Sequence, residues 1–229
     1  MTSGTLLRKR LLDQLINYRK EWRNPSTHNY MLDFDEDEAL LAIVSVTVFA
    51  IVLCDQIDSK IAFDAAAANA GKSSEPVSLG GSLLDQVADK LAVFAKIHIE
   101  GENTGQSAPH DYYRLEGALA GYLTTKFSNV EGISVTQHAL MSGYEADIVV
   151  SNGSEKIVIE LTRTRLRARV SYLTQRAVAK VSRYLDASDV SGAAVLIYNS
   201  TNTEQEYEIR TLADSIKVVA PPTVQKKSA

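Results

Sequence analysis

Cysteine is almost absent from this chain of 229 residues, whose single example is Cys54. One thiol excludes an intramolecular disulfide and a zinc site built from several cysteines. The basic residues Arg8, Lys9 and Arg10 precede an amphipathic stretch instead of an apolar one, which is not the pattern of a signal peptide. The composition is therefore typical of a protein from a reducing compartment, and we expect a cytoplasmic location.

A strong overall charge is also lacking, since the formal net charge is −4. Residues 1–109 contain 15 acidic and 10 basic residues, whereas residues 110–229 contain 13 acidic and 14 basic residues. A stretch rich in Gly, Ser, Asn and Pro lies between these parts, at residues 100–111. It predicts a boundary between a helical module at 1–105 and a second domain at 106–229.

A membrane-spanning run of about 20 apolar residues is lacking, but residues 39–54 form a run of 16 residues without a charge. Acidic residues flank this run on both sides, so no excess of Lys or Arg sets an orientation in a membrane. We favour a buried helix over a membrane span. A helix that is apolar all round must be covered by the neighbouring helices or by a second copy of the chain, and the latter would give a homodimer.

Two short β-branched runs, at residues 146–150 and 157–161, lie on either side of a stretch of Ser, Asn and Gly. This pattern predicts a β-hairpin. A loop made of Gly153 and Ser154 suits a type II′ turn, which has glycine at its first central position. The resulting register gives the hairpin one apolar face, made of Ala146, Ile148, Val150, Ile157, Ile159 and Leu161.

The same register brings carboxylates together on the second face. Asp147 is expected directly opposite Glu160, and Glu145 opposite Thr162. Opposed acids repel and destabilise the hairpin unless a positive charge lies between them. A divalent cation is one candidate, because Mg²⁺ is typically held by one or two carboxylates and phosphate oxygens. The alternative is a solvated face with ordinary surface acids, in a register shifted by one residue.

The elements around the hairpin predict a mixed sheet covered by helices. Residues 111–127 and 166–185 have the apolar spacing of helices, and residues 133–140 and 193–198 are expected to be strands. Glu116 lies beside the apolar stripe of the first helix, where a carboxylate is more often an edge salt bridge than a ligand. The fold class is therefore α/β, with a mixed β-sheet flanked by helices.

The second of these helices is unusually basic, because seven basic residues and no acidic residue lie between Arg163 and Arg183. Arg169, Arg176, Lys180 and Arg183 fall within one narrow sector at about 100° per residue. A solvated face usually carries mixed signs, so an external polyanion such as a phosphate backbone is the better partner. The arginines expected to bind nucleic acid are Arg163, Arg165, Arg167, Arg169, Arg176 and Arg183.

Together these features resemble the PD-(D/E)XK, or restriction-endonuclease-like, nuclease superfamily. The resemblance rests on a helix with Glu116, the strand YEADIVV with Asp147 and the strand IVIELT with Glu160, within residues 111–198. The spacing is similar to that of the Holliday-junction resolvase and Mrr-like branches. The resemblance implies a restriction-endonuclease-like core, Mg²⁺ or Mn²⁺ bound by these three acids, and a nuclease that acts on DNA or RNA.

The resemblance has one defect, because the motif lysine is expected at position 162, where the chain has Thr162. A hydroxyl cannot supply the positive charge of an ammonium. Lys180 is the best replacement, since the helix after the motif often supplies a Gln or Lys to the site in such proteins. The implied catalytic residues are therefore Asp147, Glu160, Lys180 and Glu116. The alternative is a catalytically degenerate nuclease fold that serves as a nucleic-acid-binding or assembly subunit.

Overall fold

The computed structural model describes residues 9, 12, 13, 15–20, 36–72, 81–102, 112–141, 143–186, 189–200 and 206–222. The helices are α1 (Glu36–Lys72), α2 (Leu83–Glu102), α3 (Tyr112–Phe127) and α4 (Val170–Leu185). The strands are β1 (Ser134–Met141), β2 (Tyr144–Ser151), β3 (Lys156–Thr164), β4 (Gly192–Asn199), β5 (Glu208–Ala213) and β6 (Ile216–Ala220). A short 3-10 helix, Arg167–Arg169, precedes α4. Most of the amphipathic stretch that follows Arg10 lies outside the described residues.

The strands form one mixed sheet in the order β1-β2-β3-β4-β6-β5. The first three strands are antiparallel neighbours, β3, β4 and β6 are parallel, and β5 returns antiparallel to β6. Helix α4 makes the crossover from β3 to its parallel neighbour β4, which a hairpin cannot do. The prediction of an α/β fold with a mixed sheet and flanking helices is therefore confirmed. The β5–β6 hairpin was not predicted, although residues 208–220 are rich in β-branched residues.

Each face of the sheet has its own hydrophobic core. Helices α2 and α3 cover one face, where they pack with Ile148 and Ile159. Helix α4 covers the other face, where it packs with Val149 and Val158. Successive strand residues thus enter different cores, as the alternation of side chains requires. Strand β4 is buried along its whole length, as expected for a parallel strand covered on both faces.

Helix α2 belongs to the sheet's core. Val87 and Leu91 are fully buried in the same cluster as α3 and the sheet. Asp85 at the start of α2 forms an ion pair with Lys217 of β6. This hydrogen-bonded ion pair, helped by Ser82, lowers the pKa of the Asp85 carboxyl to about 2. Helix α2 therefore packs with the sheet domain, although the sequence predicts a domain boundary near residue 105.

The second half of α1 packs unusually close to α3. A Cβ atom placed on Gly117 would lie 2.1 Å from the backbone oxygen of Ser59, and one on Gly121 would lie 2.2 Å from that of Phe63. No side chain fits into such a gap, so glycine at these two positions permits the close approach of the two backbones. The turns of α1 that contact α3 are therefore fixed by two glycines of α3.

The first half of α1 is exposed. Most of its large apolar side chains from Leu40 to Ile57 have exposed fractions between 38 % at Leu53 and 63 % at Ile43. The prediction that neighbouring helices bury residues 39–54 is therefore wrong for the described part of the chain. An apolar run in the sequence indicates that the helix needs an apolar partner, but it does not indicate which partner contacts it. Burial against a second copy of the chain stays a prediction.

The contact between α1 and α3 can be tested with Gly121→Ala. The added methyl group meets a backbone oxygen that cannot move aside without displacing the helix, so we expect a loss of about 1–3 kcal/mol in the free energy of unfolding. Gly71→Ala in α1 is the matched control, because its Cβ would meet only a methyl group of Thr125 at 4.0 Å. Because alanine stabilises a helix by up to about 1 kcal/mol relative to glycine, Gly71→Ala should leave the free energy of unfolding level or raise it. Urea unfolding followed by circular dichroism measures both, and equal effects would contradict the close contact.

Candidate functional site

The site begins at an irregularity between β1 and β2. Their ladder is regular as far as the pair Gln137–Ile148, but it leaves out His138 and Asp147, the next residues on each strand. His138 has a φ of +50°, in the left-handed region that residues other than glycine rarely adopt. Strained backbone of this kind is concentrated at functional sites. The irregularity therefore marks the place where two polar side chains leave the regular pattern of the sheet.

The predicted hairpin of β2 and β3 is confirmed in its register. Ile148 pairs with Ile159 and Ser151 pairs with Lys156. Gly153 at the tip has a φ of +89°, a positive value of the kind that a type II′ turn requires at its first central position. Beyond the pair Ile148–Ile159, the next residues on the two strands are the predicted acids Asp147 and Glu160.

Asp147 ends the ladder between β2 and β3. Its Oδ2 accepts a hydrogen bond of 2.7 Å from the backbone N–H of Leu161, so a side chain takes the place of a ladder acceptor. Asp147 also lies close enough to Glu160 to raise the pKa of that carboxyl through its charge and a hydrogen bond. The two acids therefore meet on one side of the sheet, and the orientation of Asp147 is fixed by the backbone of β3.

Two predicted details of the hairpin are wrong. The ladder between β2 and β3 ends at the pair Ile148–Ile159, so it does not include the predicted pairs Asp147–Glu160 and Glu145–Thr162, and Glu145 pairs instead with Leu140 of β1. Ala146 packs in the core under α4 and not with Ile148. Both differences have one physical cause, because the irregularity next to Ala146 interrupts the alternation on which the prediction relied.

Helix α4 brings Lys180 to the two acids. Its Nζ lies 2.6 Å from Glu160 Oε1 and 3.8 Å from Asp147 Oδ1. The helix is held over this end of the sheet by Tyr184, whose hydroxyl donates a hydrogen bond of 2.8 Å to the backbone oxygen of Glu145. Three separate elements, β2, β3 and α4, therefore place two carboxylates and one ammonium in direct contact.

Other cations near the motif do not reach the acids in this way. Lys156 forms an ion pair with Asp189 at the opposite end of β3. Arg163 comes three positions after Glu160 on β3, so it points to the other face of the sheet. Thr162 shares the face of Glu160 and is half-buried. Among these residues, Lys180 is the one that supplies the positive charge.

Glu116 enters the site from α3 and is 1 % exposed. His138 connects it to β2, because His138 Nε2 lies 3.2 Å from Glu116 Oε1 and His138 Nδ1 lies 3.0 Å from Glu145 Oε1. The sequence did not indicate His138 as a site residue, since its role depends on the left-handed backbone. It also did not indicate Tyr112, whose hydroxyl donates a hydrogen bond of 3.4 Å to the backbone oxygen of Leu161.

The buried acids hold their protons more tightly than usual. Burial and the charge of Asp147 raise the pKa of Glu116 to about 9 and that of Glu160 to about 7, the latter against the opposing effect of Lys180. Burial alone would lower the pKa of Lys180, but its contacts with Glu160 and Asp147 outweigh this and raise it. Glu116 is therefore mostly neutral at pH 7, whereas Lys180 is charged.

The donor atoms can be compared with the needs of a divalent cation. Glu160 Oε2 is a buried oxygen that accepts no hydrogen bond, as expected of an oxygen available to a cation, whereas Glu116 Oε1 lies 3.2 Å from His138 Nε2. Within the described ranges, no group of three or more His, Cys, Asp and Glu residues has the arrangement of a complete metal site. The donor set fits an ion of the Mg²⁺ type, which takes one or two carboxylates and completes its shell with water and phosphate oxygens.

The predicted arginines fall into two groups. Arg169, Arg176 and Arg183 are exposed and recur every seven residues, so Arg169 at the end of the 3-10 helix continues the line of Arg176 and Arg183 on α4; we call these three residues the arginine row. Lys180 lies between Arg176 and Arg183 on the same side of the helix. The arginine row therefore runs past the acidic site.

The remaining arginines are not part of this row. Arg163 is half-buried in β3, and Arg165 is exposed in the bend that follows it. The backbone of Arg167 lies in the 3-10 helix before α4. These residues lie along the chain between the acid of β3 and the first residue of the arginine row.

Comparison of the chain with protein-family models, with curated proteins and with solved structures gave no match. No family assignment follows from these comparisons, and the chemistry of the site has to be argued from its geometry.

The hydrogen bond of Asp147 gives a test of the site's construction. Asp147→Ala leaves the N–H of Leu161 without its acceptor, which costs about 1–3 kcal/mol for a buried group. Asp147→Asn keeps an oxygen for this bond and removes the repulsion from Glu160, so its free energy of unfolding should stay level or rise. Urea unfolding in EDTA measures both variants. If both lose the same stability, the charge and not the hydrogen bond holds Asp147 in place.

Proposed function

We propose that this protein is a metal-dependent nuclease of the PD-(D/E)XK type, which hydrolyses phosphodiester bonds in DNA or RNA. In this proposal the sheet with α3 and α4 is a restriction-endonuclease-like core. The observation that carries the proposal is the convergence of Lys180 on Asp147 and Glu160, at 3.8 and 2.6 Å. It supports the idea that the lysine missing from position 162 has moved to the helix that follows.

The acids and Lys180 have different roles in this proposal. Asp147 and Glu160 are the residues that would hold Mg²⁺ or Mn²⁺, with Glu116 beside them, and the ion would supply charge stabilisation for the phosphoryl group. Asp147 is oriented by the backbone of Leu161 before any ion binds. Lys180 keeps its proton and can turn from Glu160 to a phosphate oxygen or to the attacking water. Its ammonium thus orients the reactants next to the acids.

The arginine row supports a polyanionic substrate. Its three arginines are exposed, and Arg176 and Arg183 lie on the same helix as Lys180. Arginine stays charged at any physiological pH and binds phosphate in a bidentate manner. A strand bound along α4 would therefore place a phosphate next to Asp147 and Glu160.

A second function, a nuclease fold that binds without cutting, is favoured by one specific observation. Lys180 already forms an ion pair with Glu160, so the site is partly neutralised in the absence of any metal. In addition, position 162, where the motif lysine is expected, is occupied by the uncharged Thr162. In this case the acids and Lys180 form a structural ion pair, and the arginine row alone carries the function.

Cleavage of plasmid and single-stranded DNA in Mg²⁺, Mn²⁺ or EDTA separates the two functions. Lys180→Ala should lower the rate of cleavage by about 10²–10⁴, as for a group that transfers or positions a proton, with nearly unchanged affinity. Lys156→Ala is the matched control, because this lysine pairs with Asp189 away from the acids. A Lys180→Ala protein that cuts as fast as the parent would show that Lys180 has no catalytic role.

Thr162→Lys tests the same site from the position of the motif. It returns an ammonium to the face of Glu160 and should restore part of the activity that Lys180→Ala loses. If the parent cuts no substrate and Thr162→Lys gains activity, the natural protein is a degenerate nuclease. The binding function would then replace the proposed hydrolysis.

Binding by the arginine row is tested through its salt dependence. Each phosphate contact contributes nearly one unit to the slope of log K against log salt, so changing Arg169, Arg176 and Arg183 to Gln should flatten the slope by up to about three. The control variant changes Lys60, Lys96 and Lys126, which lie on α1, α2 and α3, to Gln and so removes the same number of positive charges. Fluorescence anisotropy with labelled DNA and RNA measures both slopes. Equal slopes would mean that the arginine row does not contact the nucleic acid.

A further inference from the structure

We propose that the first half of α1, residues 39–57, crosses a lipid bilayer and anchors the sheet domain to a membrane. Helix α1 contains a stretch long and apolar enough to cross a membrane, and the residues that the structure describes bury none of it. A buried helix of a soluble protein would have the same composition but not the same exposure. This inference is independent of the proposed nuclease activity.

The distribution of the exposed side chains indicates what covers the helix. Leu40, Leu41, Ile43, Val44 and Val46 are all at least 40 % exposed, and they point in different directions at about 100° per residue. A single partner helix or a second copy of this chain covers one stripe of a helix. Acyl chains cover the whole circumference, so a bilayer accounts for the exposure better than a dimer does.

The length of the segment agrees with the thickness of a membrane. Residues 39–54 contain no charge, and Asp55 is the one charged residue as far as Ile57. At 1.5 Å per residue these 19 residues extend about 28 Å, close to the hydrocarbon thickness of about 30 Å. Glu38 and Asp58 then lie near the two surfaces, where charged side chains reach water.

The two hydroxyl groups of the segment are satisfied within the helix. Ser45 Oγ donates a hydrogen bond of 2.8 Å to the backbone oxygen of Leu41, and Thr47 Oγ1 donates one of 2.8 Å to that of Ile43. In water such hydroxyls are free to bind solvent. In hydrocarbon a polar group without a partner costs several kcal/mol, so this arrangement is what a membrane span requires.

The end of the exposed segment coincides with the start of packing in the protein. Asp58 forms an ion pair of 2.8 Å with Arg114 of α3, and the next residue, Ser59, is buried against α3. Helix α1 continues without interruption from one environment to the other. The expected cytoplasmic location would then apply to the sheet domain, held next to the bilayer by a continuous helix.

Extraction and flotation of the full chain test the anchor. After expression, the parent should stay in the membrane fraction through high salt and alkaline carbonate and should leave it in detergent. Purified protein should also float with vesicles of phosphatidylcholine, which carry no net charge to attract the arginine row. The proposal is overturned if the parent is soluble without detergent. A discrete dimer in solution would show that a second copy of the chain covers the segment. Release of the protein from the membrane fraction by salt alone would indicate peripheral binding.

A paired substitution makes the test specific to the segment. Val46→Arg together with Val48→Arg places two charges in the middle of the run, where charged side chains oppose insertion into a bilayer, and should abolish carbonate resistance and flotation. The control is Leu140→Arg with Leu212→Arg, at two exposed apolar positions of the sheet. Circular dichroism in detergent establishes that both variants fold. If the first variant still floats as well as the control, residues 39–57 are not the anchor.

Discussion

The hydrogen bond between the Leu161 N–H and Asp147 Oδ2 replaces the backbone pairing of β2 and β3 at the point where the two strands separate. Past this point the strands are free to find other partners, and β2 continues along β1 alone. The separation leaves room beside β3 for Lys180 from α4 and Glu116 from α3. The same carboxylate ends the ladder with Oδ2 and faces Lys180 with Oδ1, so loss of this side chain would affect both the pairing of the strands and the charge of the site.

The electrostatics of the site follow from this crowding. Three acids share a largely buried space with one ammonium, and burial raises the pKa of Glu116 to about 9. The site thus keeps its repulsion small by holding a proton on Glu116 and an ion pair between Lys180 and Glu160. A bound cation would have to displace that proton, because metal binding requires ionised carboxylates.

Much of the sheet domain could be predicted from the sequence, because the patterns that specify its helices and the β2–β3 hairpin lie within short stretches of the chain. The alternation around Gly153 fixed the register of one hairpin, and the spacing of apolar residues located α3 and α4. What could not be predicted depends on strain or on distant contacts. The left-handed backbone of His138 has no signature in the sequence, and it moved Glu145 and Ala146 away from their expected neighbours. Lys180 could be predicted only through the family resemblance, in which the helix after the motif often supplies a Gln or Lys to the site.

Helix α3 links the candidate site to the proposed membrane anchor. Glu116 enters the site from this helix, and the next residue, Gly117, lies against the backbone of Ser59 in α1. The arginine row follows α4 and the turn before it, and α4 packs on the opposite face of the sheet. A polyanion could therefore approach α4 from the side away from α3 and its contact with α1. Since a side chain on Gly117 would meet the backbone of Ser59, the close packing of α1 on α3 depends on a glycine that directly follows Glu116.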